Sequence, residues 1–154
     1  MENYMKLEIA ALGENEGFAR NAVAAFSLCL NPSLGELSDI KTVVSEAVTN
    51  SIVHAYGGDN AQEKIWIECC VEGDVLHINI TDSGCGIEDV EKAVQPFFTT
   101  LQDEERTGMG FTVMQTFMDG FSLTSDRGKG TTVSMFRVIG GEITPQTAKE
   151  RMDA

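Results

Sequence analysis

Ile40-Lys-Thr-Val-Val-Ser-Glu-Ala-Val-Thr-Asn-Ser-Ile-Val-His54 contains no proline or glycine, and its apolar residues return every three or four positions, the period of a helix with one buried side. At about 100° per residue, Leu37, Ile40, Val44, Ala47, Val48, Ser51 and Ala55 gather on one stripe. The pattern predicts a helix from Ser33 through Tyr56, closed by Gly57-Gly58. Glu46 and Asn50 fall away from the stripe. Being four residues apart they stand one above the other, a carboxylate beside an amide. Alone, such a pair reads as a solvated helix face. It acquires chemistry only if the surrounding loops close a cleft over that side of the helix.

On the N-terminal side, Tyr4 to Ala10 alternates Met5, Leu7 and Ile9 with polar neighbours, the pattern of a half-buried strand. A helix is predicted from Gly13 to Leu30, with Phe18, Ala22, Ala25, Phe26 and Cys29 at helical spacing and Asn31-Pro32 as its stop. On the C-terminal side, Lys64 to Glu72 and Val75 to Asp82 read as a hairpin turning at Gly73-Asp74. Residues 88–94 suit about two helical turns. Residues 95–107 contain Pro96 and Thr99-Thr100 without sustained periodicity, and are expected to form a mobile loop. Helical spacing returns at 109–118. Phe121 to Ser125 and Thr131 to Val138 then form a closing hairpin around Asp126-Arg-Gly-Lys-Gly130. Strands in the middle and at the end, with helices between, predict a two-layer α/β sandwich: a mixed, mostly antiparallel sheet with helices on one face. Residues 1–140 are expected to be one domain and 141–154 a polar C-terminal tail; no internal repeat is visible.

The formal net charge of -13 creates a field that repels phosphate backbones and acidic membrane surfaces, which argues against direct nucleic-acid or lipid-surface binding. It would attract a basic protein partner, and serves equally as a solubility device. The four cysteines, Cys29, Cys69, Cys70 and Cys85, form no C-x-x-C pair and are accompanied by only two histidines, so a structural zinc site is not expected. Reduced thiols, the absence of a leader pattern in the first ten residues and the lack of a long apolar run together predict a cytoplasmic protein.

Three further segments supply candidate chemistry. In Val75 to Asp82 the period of two places Leu76, Ile78 and Ile80 on one face and Asp82 next in line, so an acid continues an apolar stripe. A buried carboxylate needs a donor; the exocyclic amine of adenine is one, and Gly84 and Gly86 permit a close turn around a base. Gly108 and Gly110 stand where a helix begins, a place that offers backbone N–H groups and a positive dipole end to polyphosphate, and Arg106 adds a cation. Thr131 shares a strand face with Val133 and Met135, and its hydroxyl can join the Asp82 end of a pocket. In such a cleft the Asn50 amide oxygen suits Mg²⁺ and Glu46 suits a proton acceptor, while His54 reads as a structural polar residue at the helix end. Taken singly, the ordinary readings are stronger: Asp82 as a turn cap, G-x-G as a flexible connection, Thr131 as a β-branched strand residue. The order and placement of the segments carry the inference of an ATP site.

Together the segments resemble the GHKL superfamily of ATP-binding domains, which have the Bergerat fold. The resemblance runs from about Met5 to Val138 and includes Glu14-Asn-Glu-Gly-Phe-Ala-Arg20, the Ile40 to His54 run, Asp82-Ser-Gly-Cys-Gly-Ile87, Pro96-Phe-Phe-Thr-Thr100, Glu105-Arg-Thr-Gly-Met-Gly-Phe-Thr-Val-Met114 and Gly130-Thr-Thr132. Within the superfamily it is strongest for the anti-sigma serine kinases of sporulation. The resemblance implies a cytoplasmic homodimer that holds a sporulation sigma factor (sigma-F-like) inactive and, with ATP and Mg²⁺, phosphorylates a serine on a small anti-anti-sigma factor. ATP-bound and ADP-bound forms would differ in partner preference. By matched position it implies Glu46 as catalytic base, Asn50 as Mg²⁺ ligand, Asp82 as adenine reader and Arg106 near the terminal phosphate. Gly84, Gly86, Thr99, Thr100, Gly108, Met109, Gly110 and Thr131 are implied around the nucleotide, and Arg20 as a partner contact. Leu101 departs from the pattern, standing where a lysine is common.

Two rivals share these residues: an anti-sigma kinase of a general stress pathway, and a nucleotide-gated binding module without efficient phosphoryl transfer. Retention of Glu46 beside Asn50 favours chemistry, because a gate needs no proton acceptor. The catalytic fragment of a sensor histidine kinase is disfavoured, since there is no room for a phosphoacceptor helix pair and His54 lies within the site helix.

Overall fold

The computed structural model describes residues 2–94 and 110–140, in the order β1 (Glu2–Ala11), α1 (Glu14–Ser27), α2 (Leu34–Asn50), β2 (Asn60–Glu72), β3 (Val75–Asp82), α3 (Val90–Ala93), α4 (Gly110–Phe117), β4 (Gly120–Asp126) and β5 (Gly130–Val138). The expected loop at 95–107 and the tail at 141–154 lie outside the described residues, as do Thr99, Thr100, Arg106, Gly108 and Met109.

The five strands form one sheet in the order β1-β2-β3-β5-β4. The expected sheet was mixed and mostly antiparallel; every ladder among the described residues is antiparallel. Tight turns reverse the chain between β2 and β3 and between β4 and β5, and the helices between β1 and β2 return it to the end it left, so that Ala11 pairs with Asn60. Register aligns side chains in rows across the covered face. Leu7, Ile67, Ile80, Val133 and Leu123 make one row, and Met5, Cys69, Ile78, Met135 and Phe121 the next. Beyond these apolar rows lie two that contain charges: Ile65, Asp82 and Thr131 at one end, Val71, Leu76 and Arg137 at the other.

α2 lies over this face and buries Ile40, Val43, Val44, Ala47 and Val48, close to the predicted stripe. Its start is fixed by a reciprocal capping box in which the Ser33 hydroxyl accepts from the Glu36 N–H and the Glu36 carboxylate from the Ser33 N–H. Its end differs from expectation. Ser51–Ala55 is a π-turn, with the Tyr56 N–H reaching back to the Ser51 carbonyl at 3.1 Å.

α1 presents a different face from the one predicted. It buries Ala19, Val23, Ala24 and Ser27, whereas Phe18 is 58% exposed and Cys29 lies on the surface. Small residues let α1 approach its neighbours closely, and that contact has taken precedence over the bulk of Phe18. Residues 88–94 give a single turn, α3, capped by the Asp89 side chain, which accepts from the Lys92 N–H at 3.0 Å.

Candidate functional site

A cavity of about 790 Å³ opens where the end of α2 and its π-turn meet the end of β3, α3, the first turn of α4 and the β4–β5 hairpin. Its wall is apolar, from Ala47, Ile87, Ala93, Phe111 and Val133, and Asn50, Asp82 and Thr131 bring polar groups to it. A mostly apolar hollow with few convergent polar groups is the usual form of a small-molecule site.

Asp82 is the polar centre, and only 5% of it is exposed. The Ser51 hydroxyl donates to Oδ2 at 3.0 Å, the Gly84 N–H donates to Oδ1 at 3.0 Å, and the Thr131 backbone N–H also donates to the carboxylate. All three donors are neutral. Burial pushes the Asp82 carboxyl above its ordinary value, and these hydrogen bonds only partly oppose the rise. With about four lone-pair sites, an ionised carboxylate still has acceptor capacity for one more donor, such as an amino group entering from the cavity.

The loop after β3 is tied down on both sides. The Ser83 N–H donates to the Tyr56 hydroxyl at 2.8 Å, the Cys85 N–H to the Ala55 carbonyl at 3.1 Å, and the Ile87 N–H to the Ser125 hydroxyl at 2.7 Å. Ser125 in turn donates to the Gly130 carbonyl. Glycine is required at two points here. A Cβ on Gly84 would collide with Ala55, and one on Gly86, which has φ +74°, would meet the Asp126 carbonyl. The close approach expected toward a base is thus, in this structure, an approach to the protein's own backbone.

Asn50, Asp82, Gly86 and Thr131 therefore meet at one cavity, with Gly84 joined to it through the Asp82 carboxylate. Gly110 is the first residue of α4. Glu46 does not line this cavity. It lies one turn before Asn50 and faces a neighbouring hollow of about 460 Å³ shared with Arg20, Leu34, Leu37 and Lys41. There the Arg20 guanidinium is held by both oxygens of Glu16, at 2.8 and 2.7 Å. Burial alone would raise the Glu16 carboxyl, but hydrogen bonds from Ser45 and Arg20 together with the Arg20 charge bring it below its ordinary value.

Ser51, Tyr56 and Ser125 were not singled out by sequence as parts of the site. Ser51 carried a usable signal, since it is a hydroxyl continuing an apolar helix stripe as Asp82 continues an apolar strand stripe. Two such interruptions pointing into one core are candidates to bond each other. Among the described residues no cluster of three His, Cys, Asp or Glu could hold a metal with protein ligands alone. A lone Asn50 oxygen fits a hard cation that takes its remaining ligands from phosphates and water.

No helix among the described residues is long and apolar enough to cross a membrane. Residues 9–137 match the family described as the histidine kinase-like ATPase domain. The chain is 51% identical over 140 residues to a protein of Thermoanaerobacter sp. strain X514 named anti-sigma F factor, covering 91% of this chain and 96% of that one. It is 50% identical over 135 residues to the anti-sigma F factor of Bacillus subtilis strain 168, covering 88% and 92%. The catalytic domain of the histidine kinase ThkA superposes with a TM-score of 0.55 over 94% of this chain and 99% of that one, at 18% identity, a likeness of fold. The five-stranded antiparallel sheet with helices on one face, the cavity around Asp82 and these matches agree: the chain belongs to the histidine kinase-like ATPase family and, within it, to the anti-sigma F factors.

Proposed function

We propose that the chain is an ATP-dependent serine kinase that also binds and inhibits a sporulation sigma factor. It transfers the γ-phosphoryl group of ATP to a serine on an anti-anti-sigma factor, and the identity of the bound nucleotide, ATP or ADP, sets which partner is held. Residues 1–140 form the kinase unit, residues 141–154 are an appended tail, and the working protein is a cytoplasmic homodimer. The observation that carries this reading is the buried Asp82 carboxylate, held among the described residues by neutral donors, with Asn50 on the same cavity and Glu46 one helical turn away. The half-identity to anti-sigma F factors supports the choice of partners.

Asp82 accepts the adenine 6-amino group, Thr131 flanks it, and the loop held by Gly84 and Gly86 keeps the carboxylate in place. The apolar wall excludes water from the base. Asn50 would hold Mg²⁺ through its amide oxygen, and the ion, when bound, would supply charge neutralisation to the nucleotide's phosphates. Thr99, Thr100, Gly108, Met109 and Gly110 contact the nucleotide, and Arg106 stabilises charge at its terminal phosphate. The hollow containing Arg20, Leu34, Leu37 and Lys41 receives the serine-bearing partner, with Arg20 as a contact, and delivers the hydroxyl to Glu46, which takes its proton.

The test is phosphoserine formation when the protein is mixed with ATP, Mg²⁺ and its anti-anti-sigma partner. Glu46→Gln keeps shape but loses basicity, so transfer should fall about a hundredfold or more while ATP binding is retained. Equal loss of binding and transfer would overturn the assignment of Glu46. Tight sigma binding without any phosphoserine in the unaltered protein would instead favour a nucleotide-gated module. Retention of a stress-pathway sigma factor would favour the related kinase.

A further inference from the structure

We infer that Ser51 is a positioning residue for purine recognition: its hydroxyl, delivered by the π-turn at the end of α2, orients the Asp82 carboxylate so that an acceptor lone pair faces the cavity and the 6-amino group of adenine. This rests on the nucleotide reading above and adds to it a residue, a route and a selectivity.

Of the three donors on Asp82, two are backbone N–H groups. Gly84 supplies one from the turn that follows Asp82, and Thr131 supplies the other from the paired strand, so sheet and turn provide them whatever the side chains. Among the described residues Ser51 alone brings a side-chain donor, and it comes from another layer of the fold, 31 residues away in sequence. It is itself buried, 6% exposed, so the bond is largely shielded from solvent. Held only by the Gly84 and Thr131 N–H groups, the carboxylate would retain more of the broad rotation about its Cβ–Cγ bond. The third donor narrows that torsion.

The π-turn makes the grip double. At its start the Ser51 N–H bonds the Ala47 and Val48 carbonyls while the hydroxyl reaches Asp82. At its end the Ala55 carbonyl accepts from the Cys85 N–H. One widened turn thus holds both the acid and the loop behind it, and couples the helix bearing Asn50 to the base-reading end of the cavity.

The experiment is a double-mutant cycle read with two nucleotides, ATP and purine riboside triphosphate, which lacks the 6-amino group. Titration calorimetry with Mg²⁺ is the measurement. Ser51→Ala should weaken ATP about tenfold and leave the deaminated analogue unchanged, a loss matching one hydrogen bond to a charged acceptor. Ser51→Thr retains the hydroxyl and should restore ATP affinity. Asp82→Asn should show the same nucleotide pattern, and the double variant should bind ATP no worse than Asp82→Asn, because both substitutions act on one contact. In turnover the Ser51→Ala defect should appear in KM for ATP and not in kcat. Equal weakening of both nucleotides, or losses that add in the double variant, would overturn the role of Ser51. An unaltered protein that binds neither nucleotide would instead overturn the nucleotide site itself, and that result is read before any variant is made.

Discussion

Asp82 and Arg137 are both buried in the covered face of one sheet, 5% and 4% exposed, at opposite ends of the same two neighbouring strands. Their surroundings differ. Arg137 donates to the Asp39 carboxylate at 2.8 Å and to the Phe117 carbonyl at the end of α4, so its charge is met by an opposite charge and by the negative end of a helix dipole. Asp82 is met by a hydroxyl and two amides and, among the described residues, by no cation. Burying an ion costs several kcal/mol unless a partner offsets it. At one end the fold supplies that partner from its own chain; at the other it leaves the charge incompletely compensated, facing a cavity. The first arrangement is what a joint between α2, α4 and β5 requires. The second is what a binding site for an external donor requires, and it explains why two buried charges in one sheet have opposite consequences.

The largest effect should come from breaking the joint. Arg137→Met leaves Asp39 and the last carbonyl of α4 without their shared donor, and should lower the free energy of unfolding in urea by about 3 kcal/mol, the low end for a broken buried pair because Asp39 is partly exposed. A loss under about 1 kcal/mol would place this pair with surface ion pairs and erase the contrast.

Asp82→Asn should behave in the opposite manner. The amide keeps the shape, and the Ser51 hydroxyl can reverse from donor to acceptor when an NH₂ group takes the place of Oδ2. Unfolding in the absence of nucleotide should therefore shift by less than about 1 kcal/mol. ATP affinity should fall about tenfold or more, since the amide oxygen offers two lone pairs in place of the carboxylate's roughly four, and the Gly84 and Thr131 N–H groups already compete for them. A destabilisation equal to that of Arg137→Met, with ATP binding unaffected, would make Asp82 a second structural charge.

How much of this contrast was legible in the sequence depends on range. Period two along β3 placed Asp82 after Leu76, Ile78 and Ile80, and that inference survives in the register. The same period along Thr131, Val133 and Met135 reaches Arg137, so the second buried charge carried an equally visible signal that was not drawn from it. What the pattern could not supply was the partner. Asp39 is 98 residues from Arg137 and Ser51 is 31 from Asp82, and no local periodicity reports contacts between layers. The π-turn was hidden for a related reason: its residues fit an α-helical stripe well, and only the contacts of Ser51 and Ala55 with the β3 loop distinguish it. On α1 the spacing of large apolar residues indicated the wrong face, because close helix packing selected Ala19, Val23 and Ala24 over Phe18. Glu46 and Asn50 were correctly placed one turn apart, but that two hollows divide them follows only from the packing of α1 beside α2.

The smallest effect, and the one that compares the two ends in a single measurement, is the pH dependence of stability without nucleotide. At the Asp82 end burial raises the carboxyl pKa, so between the ordinary value and the raised one the folded state binds more protons than the unfolded state, and stability falls as pH rises through that window. Near Arg137 the sign reverses. Burial alone would raise the Glu36 carboxyl, but the Ser33 and Gly140 N–H groups and the Arg137 charge outweigh it and leave it below its ordinary value. Its contribution is therefore present above the ordinary carboxylate value and is lost as pH falls through the depressed one. The urea midpoint should thus decline on both sides of the ordinary carboxylate range. Asp82→Asn should flatten only the upper side, and Glu36→Gln only the lower. If Asp82→Asn left the upper side unchanged, the carboxylate would already be compensated in the nucleotide-free protein, and its surroundings would not differ in kind from those of Arg137.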